Sequence, residues 1–121
     1  MQFKFKEQNP NTQKRKEECE KVLKKYPDRI PIVIEKDPRS QIKEIDRTKF
    51  LVPNDLTVQH LIYIIRKKLD LSKEASLFML VNGKKSVTGE AGLQETYEKY
   101  KDKEDGYLYI LYASELTWGS N

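Results

Sequence analysis

Apolar residues recur along this chain with two periods, one helical and one of strands, and punctuation by proline and glycine separates them. Phe3 and Phe5 lie in a short charged segment ending at Pro10, read as a brief helix or an arm. From Asn11 or Thr12, both residue types that cap helices, the chain runs without Gly or Pro to Tyr26. Cys19, Val22, Leu23 and Tyr26 fall at i, i+3, i+4 and i+7, which predicts an amphipathic helix stopped by Pro27. Ile30 to Ile34 is a β-branched run whose continuous apolar character predicts a strand covered on both faces, with Pro31 near its start. Asp37-Pro38-Arg39-Ser40 reads as a turn. Lys49-Phe50-Leu51-Val52-Pro53 is a second, short strand that carries a lysine and closes on a proline, the usual protection of an edge strand, so its outer edge is expected to be open. Asp55 or Thr57 caps a further helix with a core stripe of Val58, Leu61, Ile62, Ile65 and Leu69, followed by Arg66-Lys67-Lys68 at its C-terminal end. Ile64 lies off that stripe. Leu77 to Val81 forms a third strand that ends at the turn pair Asn82-Gly83, a polar segment to Gly92 leads into a short helix with Leu93, Tyr97 and Tyr100 on one side, and Tyr107 to Tyr112 is the fourth strand.

Two strands, a helix and two more strands predict an α+β fold: a four-stranded mixed sheet with the long helix packed across one face, because the connection between strands two and three must cross over. That is a β-grasp arrangement, with the residues up to Tyr26 added as two N-terminal helices. The expected organisation is a helical extension at 1–26, a core at 27–113 and a tail at 114–121, all one structural unit. At 121 residues the chain has room for one such core and not for two.

Composition narrows the chemistry. The charged fraction is 35% with a net charge of +4, a mixed surface with a mild basic bias, so no nucleic-acid partner is expected. On the polar face of the helix at 12–26, Lys14, Arg15, Lys16, Lys21, Lys24 and Lys25 are interleaved with Glu17, Glu18 and Glu20, which reads as a solvated face rather than a polyanion-binding one. Only Cys19 is present, which excludes an internal disulfide or a multi-cysteine metal site and suits a reducing compartment. No run approaches the length of a membrane span, and the N-terminus lacks the apolar region of a secretory signal, so a soluble, intracellular start is expected. Catalysis by Cys19 with His60 is disfavoured, since Cys19 sits on the apolar stripe of its helix and His60 beside the stripe of another.

The apolar strand Tyr107–Tyr112 anchors a polar tail with a glycine two residues from its end. Taken alone, Gly119 reads more simply as part of a frayed terminus. Were Ser120 and Asn121 removed, the glycine carboxylate would be narrow enough to enter a deep active-site channel and be activated as a thioester.

The order and content of several blocks decide between these readings. Lys25-Tyr26-Pro27-Asp28-Arg29-Ile30-Pro31-Ile32-Val33-Ile34-Glu35-Lys36, Lys49-Phe50-Leu51-Val52-Pro53-Asn54-Asp55-Leu56-Thr57-Val58, Ile65-Arg66-Lys67 and Leu108-Tyr109-Ile110 resemble the GABARAP and light-chain-3 family of autophagy ubiquitin-like modifiers. The resemblance implies a ubiquitin-like β-grasp domain, matured by a processing cysteine protease, passed through ubiquitin-like activating and conjugating enzymes, and joined through its terminal glycine to phosphatidylethanolamine. It implies no cofactor or metal, and a protein that starts cytoplasmic and becomes anchored on autophagosomes or related vesicles. Gly119 occupies the position of the conjugated glycine, with Trp118 where the family carries phenylalanine or tyrosine. The segment 82–106 departs from the family pattern, lacking its proline and running slightly longer.

The resemblance further implies a groove for receptors and adaptors bearing an aromatic-x-x-aliphatic motif. Carried over by position, an aromatic pocket is lined by Glu18, Val22, Pro31, Val33, Lys49, Leu51 and Tyr107, and an aliphatic pocket by Phe50, Val52, Pro53, Leu56, Leu61, Ile64 and Ile65. Arg29, Lys49, Arg66 and Lys68 form a charged rim suited to acidic residues flanking the motif. Strand alternation agrees with the division, since Lys49 and Leu51 face one side and Phe50 and Val52 the other. Val33 and Ile65 are expected to be mainly structural. An alternative role is that of a non-conjugated trafficking or cytoskeletal adaptor, using the same groove and binding tubulin through the basic N-terminal helix.

Overall fold

The computed structural model describes residues 3–115. The elements are α1 (Lys4–Gln8), α2 (Thr12–Lys25), β1 (Arg29–Lys36), β2 (Lys49–Pro53), α3 (Val58–Leu69), β3 (Phe78–Val81), β4 (Lys85–Ser86), α4 (Leu93–Tyr100) and β5 (Leu108–Ala113). The strands form one sheet in the order β2-β1-β5-β3-β4. β1 and β5 run parallel at its centre, and the other neighbours are antiparallel. The sheet therefore has five strands where the residue pattern predicts four. The extra one, β4, is two exposed residues with no apolar alternation to announce it, folded back by the Asn82-Gly83 turn. Both residues adopt positive φ, 57° and 73°, which the Asn-Gly pair tolerates, in the three-residue turn 82–84 that separates the paired Val81 and Lys85.

Alternation along the central strands sends side chains to two cores. Ile30, Ile32 and Ile34 of β1, Phe50 and Val52 of β2, and Leu108, Ile110 and Tyr112 of β5 pack with Val58, Leu61, Ile65 and Leu69 of α3 and Leu93 and Tyr97 of α4. Val33, Tyr107, Tyr109 and Leu111 meet Phe3, Phe5 and Cys19 on the opposite face. The sheet is thus covered on both sides, and the continuous apolar run of β1 is the signature of that double burial.

Helix ends are closed by local chemistry. Asn11 caps α2 by accepting from the Lys14 amide. Thr57 caps α3 in a reciprocal box, its hydroxyl facing the His60 amide and the His60 Nδ1 accepting from the Thr57 amide. Two further α3 amides, of Val58 and Gln59, donate to the carbonyls of Ala91 and Gly89. The segment between β4 and α4 therefore completes the start of the long helix. His60 is a capping residue, on the face of the sheet opposite Cys19, so the two cannot form a nucleophile and base pair. The long β1–β2 connection is held without regular structure by buried Asp37, which accepts from the Arg39 amide and guanidinium, and by Tyr112, whose hydroxyl donates to the Lys43 carbonyl.

Candidate peptide-binding groove

β2 pairs only with β1, and its other edge carries free backbone groups among the described residues. The register sets Pro31 against Leu51 and Val33 against Lys49, so these four side chains share the face covered by α1 and α2. Ile30–Val52 and Ile32–Phe50 share the face covered by α3. One open strand edge is thereby flanked by two helices, one on each side of the sheet.

On the α2 side, Val22 and Leu51 are half-buried, Glu18 and Lys49 exposed, and Pro31, Val33 and Tyr107 buried. Val33 has no accessible surface and lies beneath the others. The Lys49 ammonium lies 2.5 Å from Glu18 Oε1, and the Tyr107 hydroxyl donates to the same oxygen at 2.9 Å. These bonds hold the Glu18 carboxyl below its ordinary range: the Lys49 bond is the largest effect, burial opposes it, and Tyr107 adds to it. Burial first, and the Glu18 bond second, push the Tyr107 phenol up. Phe5 meets Tyr107 edge-on at 5.4 Å between centroids, and the Lys49 ammonium stands 5.8 Å from the Phe5 ring. An aromatic guest would find an aliphatic and aromatic floor with a movable ion pair at its rim.

On the α3 side, Leu56 and Ile64 are half-buried and Pro53 exposed, whereas Phe50 and Val52 are 5% exposed and Leu61 and Ile65 have no accessible surface. Pro53, Leu56 and Ile64 are therefore the side chains a guest would touch, with the other four as floor. The Arg47 guanidinium lies 4.9 Å above the Phe50 ring.

The charged residues separate. Arg29 and Lys68 are exposed. Arg66 is half-buried and donates at 2.6 Å to the carbonyls of both Ala75 and Ser72, stapling the loop after α3. Its charge is committed to backbone rather than offered at the rim. Gly119, Trp118, Ser120 and Asn121 lie outside the described residues. Two neighbours of the groove escape sequence reasoning. Phe5 could have been found from its alternation with Phe3, but Arg47 carries no signal, because it precedes β2 and strand parity would place it with Lys49 instead of over Phe50.

Cys19 is an inert thiol in this frame. It is 1% exposed, and burial, then the nearby carboxylate of Asp105, push it up to about 12. No helix of the described residues is long and apolar enough to cross a membrane.

Comparison with known proteins agrees with this architecture. The family model described as "Autophagy protein Atg8 ubiquitin like" matches residues 14–119. The chain is 46% identical over 119 residues to autophagy-related protein 8 of Neosartorya fischeri, covering 98% of each sequence. It is 46% identical over 109 residues to autophagy-related protein 8e of Arabidopsis thaliana, covering 90% of this chain and 88% of the relative. The crystal structure of Trypanosoma brucei ATG8 superposes with a TM-score of 0.81 at 41% identity, covering 90% of this chain and 92% of the other. With its ubiquitin-like sheet, crossing helix and two added N-terminal helices, this chain belongs to the Atg8 family of autophagy proteins.

Proposed function

We propose that this protein is a conjugated modifier that recruits receptors and adaptors bearing an aromatic-x-x-aliphatic motif through the groove along β2. The observation that carries the reading is the open outer edge of β2, with half-buried Val22 and Leu51 on one side of the sheet and half-buried Leu56 and Ile64 on the other. An extended peptide added to that edge receives backbone hydrogen bonds and sends alternate side chains toward opposite sides. Anchor residues three apart reach Leu51 and Val22 on one side and Pro53, Leu56 and Ile64 on the other. Burying each anchor supplies roughly 1.5 to 3 kcal/mol, whereas an exposed rim charge adds about 0 to 1.

In this reading a cysteine protease removes Ser120 and Asn121, and activating and conjugating enzymes transfer the Gly119 carboxyl to phosphatidylethanolamine. The protein then changes from a cytoplasmic species to one held on autophagosomal membranes. The glycine carboxylate is first activated by ATP as an acyl adenylate with release of pyrophosphate. An enzyme thiol displaces AMP to form the thioester, and the lipid amine displaces that thiol to form the amide. The protein itself contributes the acyl group and no catalytic side chain.

The groove is tested by a calorimetric double-mutant cycle on Leu51→Ala and Ile64→Ala, each against a motif peptide truncated at either anchor. Both side chains are half-buried, so their truncation spares the core. Leu51→Ala should couple to the aromatic anchor and Ile64→Ala to the aliphatic one, each costing about 1 to 3 kcal/mol with little dependence on salt. Coupling of both to one anchor would refute the two-pocket arrangement. For the tail, Gly119→Ala should abolish lipid conjugation in a reconstituted reaction, because a methyl at the acyl donor obstructs a narrow channel. Normal conjugation of that variant would refute Gly119 as the donor.

A further inference from the structure

Away from the groove, the N-terminal arm, the β3–β4 turn and the α4–β5 loop meet around an open cleft of about 460 Å³. Its walls carry Lys6, Lys84, Lys99, Lys101 and Lys103 against one carboxylate, Asp102. As many net positive charges converge there as the whole chain carries. In sequence the region looks neutral, since Glu98, Asp102 and Glu104 alternate with its lysines. The fold sorts those charges. Glu98 accepts from the Gln94 side chain one turn back along α4. Asp102 turns inward, accepting from Lys6 at 2.6 Å and from the amides of Glu104 and Asp105. Among the described residues, no carboxylate lies within ion-pair distance of the Lys84, Lys99, Lys101 or Lys103 ammonium.

The walls are built rather than frayed. Lys84 follows the tight Asn82-Gly83 turn, closed by its own amide donating to the Val81 carbonyl. Lys101 and Lys103 sit on a loop whose backbone is tied to Asp102 at both ends, through Asp102 N to Tyr107 O and Gly106 N to Asp102 O. Four like charges on the lining of one cleft repel one another, and an anion seated in the cleft offsets that repulsion. The volume suits a small molecule, not an extended acidic peptide or a nucleic-acid backbone, both of which need a continuous track. A phosphate monoester carries between one and two charges on a compact group with strong acceptor oxygens, so two or three on one ring match four ammoniums in this space.

We propose that this cleft binds a compact polyanion with clustered phosphates, supplied either as a phosphoinositide headgroup or as a soluble inositol polyphosphate. The site is separate from the β2 groove and stands or falls independently of it.

The test uses the full chain and titration calorimetry with inositol hexakisphosphate. One-to-one binding should weaken steeply with added salt, and the double variant Lys84→Gln with Lys101→Gln should lower the affinity by about tenfold or more. The control Lys67→Gln with Lys73→Gln, on and beyond α3, should leave it within about twofold. Amide shifts on titration should centre on Asn82, Lys84, Lys101 and Lys103. Sedimentation with vesicles containing a phosphatidylinositol bisphosphate, against vesicles of equal charge made with phosphatidylserine, separates the sources. Preference for the former that is lost in the cleft variant supports the headgroup, and binding to the soluble anion alone supports the free ligand. Equal loss in both double variants, or no saturable binding to either probe, would overturn the proposal. So would tighter cleft-dependent binding of an oligonucleotide.

Discussion

Asp105 shows what one buried residue can hold. Its side chain has no accessible surface and accepts from Arg15 Nε at 2.8 Å, from the Tyr109 hydroxyl at 2.5 Å and from the Tyr107 amide at 2.9 Å. Arg15 in turn donates to the Asn9 carbonyl and to Thr12, so one carboxylate joins α2, the N-terminal arm and the start of β5. Burial and the Asp105 bond push the Tyr109 phenol up, which keeps it a hydrogen-bond donor throughout the physiological range. Asp105→Ala leaves the Arg15 guanidinium buried without its partner and should cost about 3 to 5 kcal/mol in urea unfolding. Adding Arg15→Met should recover much of that loss. An equally unstable double variant would show that Asp105 acts through the tyrosines. The neighbouring Gly106 is required for a different reason: its φ is +89° and an added Cβ would stand 3.1 Å from Cys19 Sγ.

At the scale of elements, the N-terminal arm is attached by a few specific contacts. Buried Glu35 on β1 accepts from the Lys4 and Phe5 amides, both at 2.8 Å, closing the open start of α1. Phe3 meets Tyr109 edge-on at 5.0 Å, and Lys6 is pinned to Asp102. Glu35→Ala should accelerate amide exchange over α1 while β5 exchanges as before, with a stability loss of about 1 to 3 kcal/mol. Unchanged exchange over α1 would place the arm's anchorage in its aromatic contacts instead. β2 presents the contrasting case, an element that combines a core face with the proposed binding edge. Phe50 belongs to the proposed aliphatic pocket and also to the α3 core, so Phe50→Ala confounds affinity with folding, and Ile64 is the cleaner probe.

For the whole molecule, acid should be the stress that separates its layers. Glu18, Asp37 and Asp102 each have their pKa lowered from ordinary values of 4.5, 3.8 and 3.8. For Asp37 the Arg39 bond is the largest cause. For Asp102 burial acts against the shift and is outweighed by Lys6 and by the Asp105 and Glu104 amides. A carboxylate with a depressed folded pKa contributes fully above its unfolded value, and that contribution is lost as the pH falls through the folded one. The urea midpoint should therefore drop between about pH 5 and pH 3, and Asp37→Asn should flatten that slope while lowering the plateau above it. An identical slope in Asp37→Asn would remove the β1–β2 loop from the acid response.

Element type, order and the location of the open edge were legible in the residues alone, because they follow from periods of two and of three to four positions and from prolines at element ends. The family, too, was legible from blocks such as Arg29–Lys36 and Lys49–Val58. β4 was not, since two polar residues carry no period and only the hairpin turn creates their partner. The groove rim depended on distance along the chain: Lys49 and Tyr107 meet Glu18 across separations of 31 and 89 residues. Arg66 could be placed at a helix end from sequence, but its commitment to the Ala75 and Ser72 carbonyls rests on the path of the following loop. The lysine cleft is the clearest division between the two levels. Charges that alternate and cancel along residues 98–104 are separated in space, because Glu98 and Asp102 bond to Gln94 and Lys6 while Lys99, Lys101 and Lys103 line the shared cleft. Local spacing determined which surfaces this protein has, and only packing between distant segments decided which charges face one another across them.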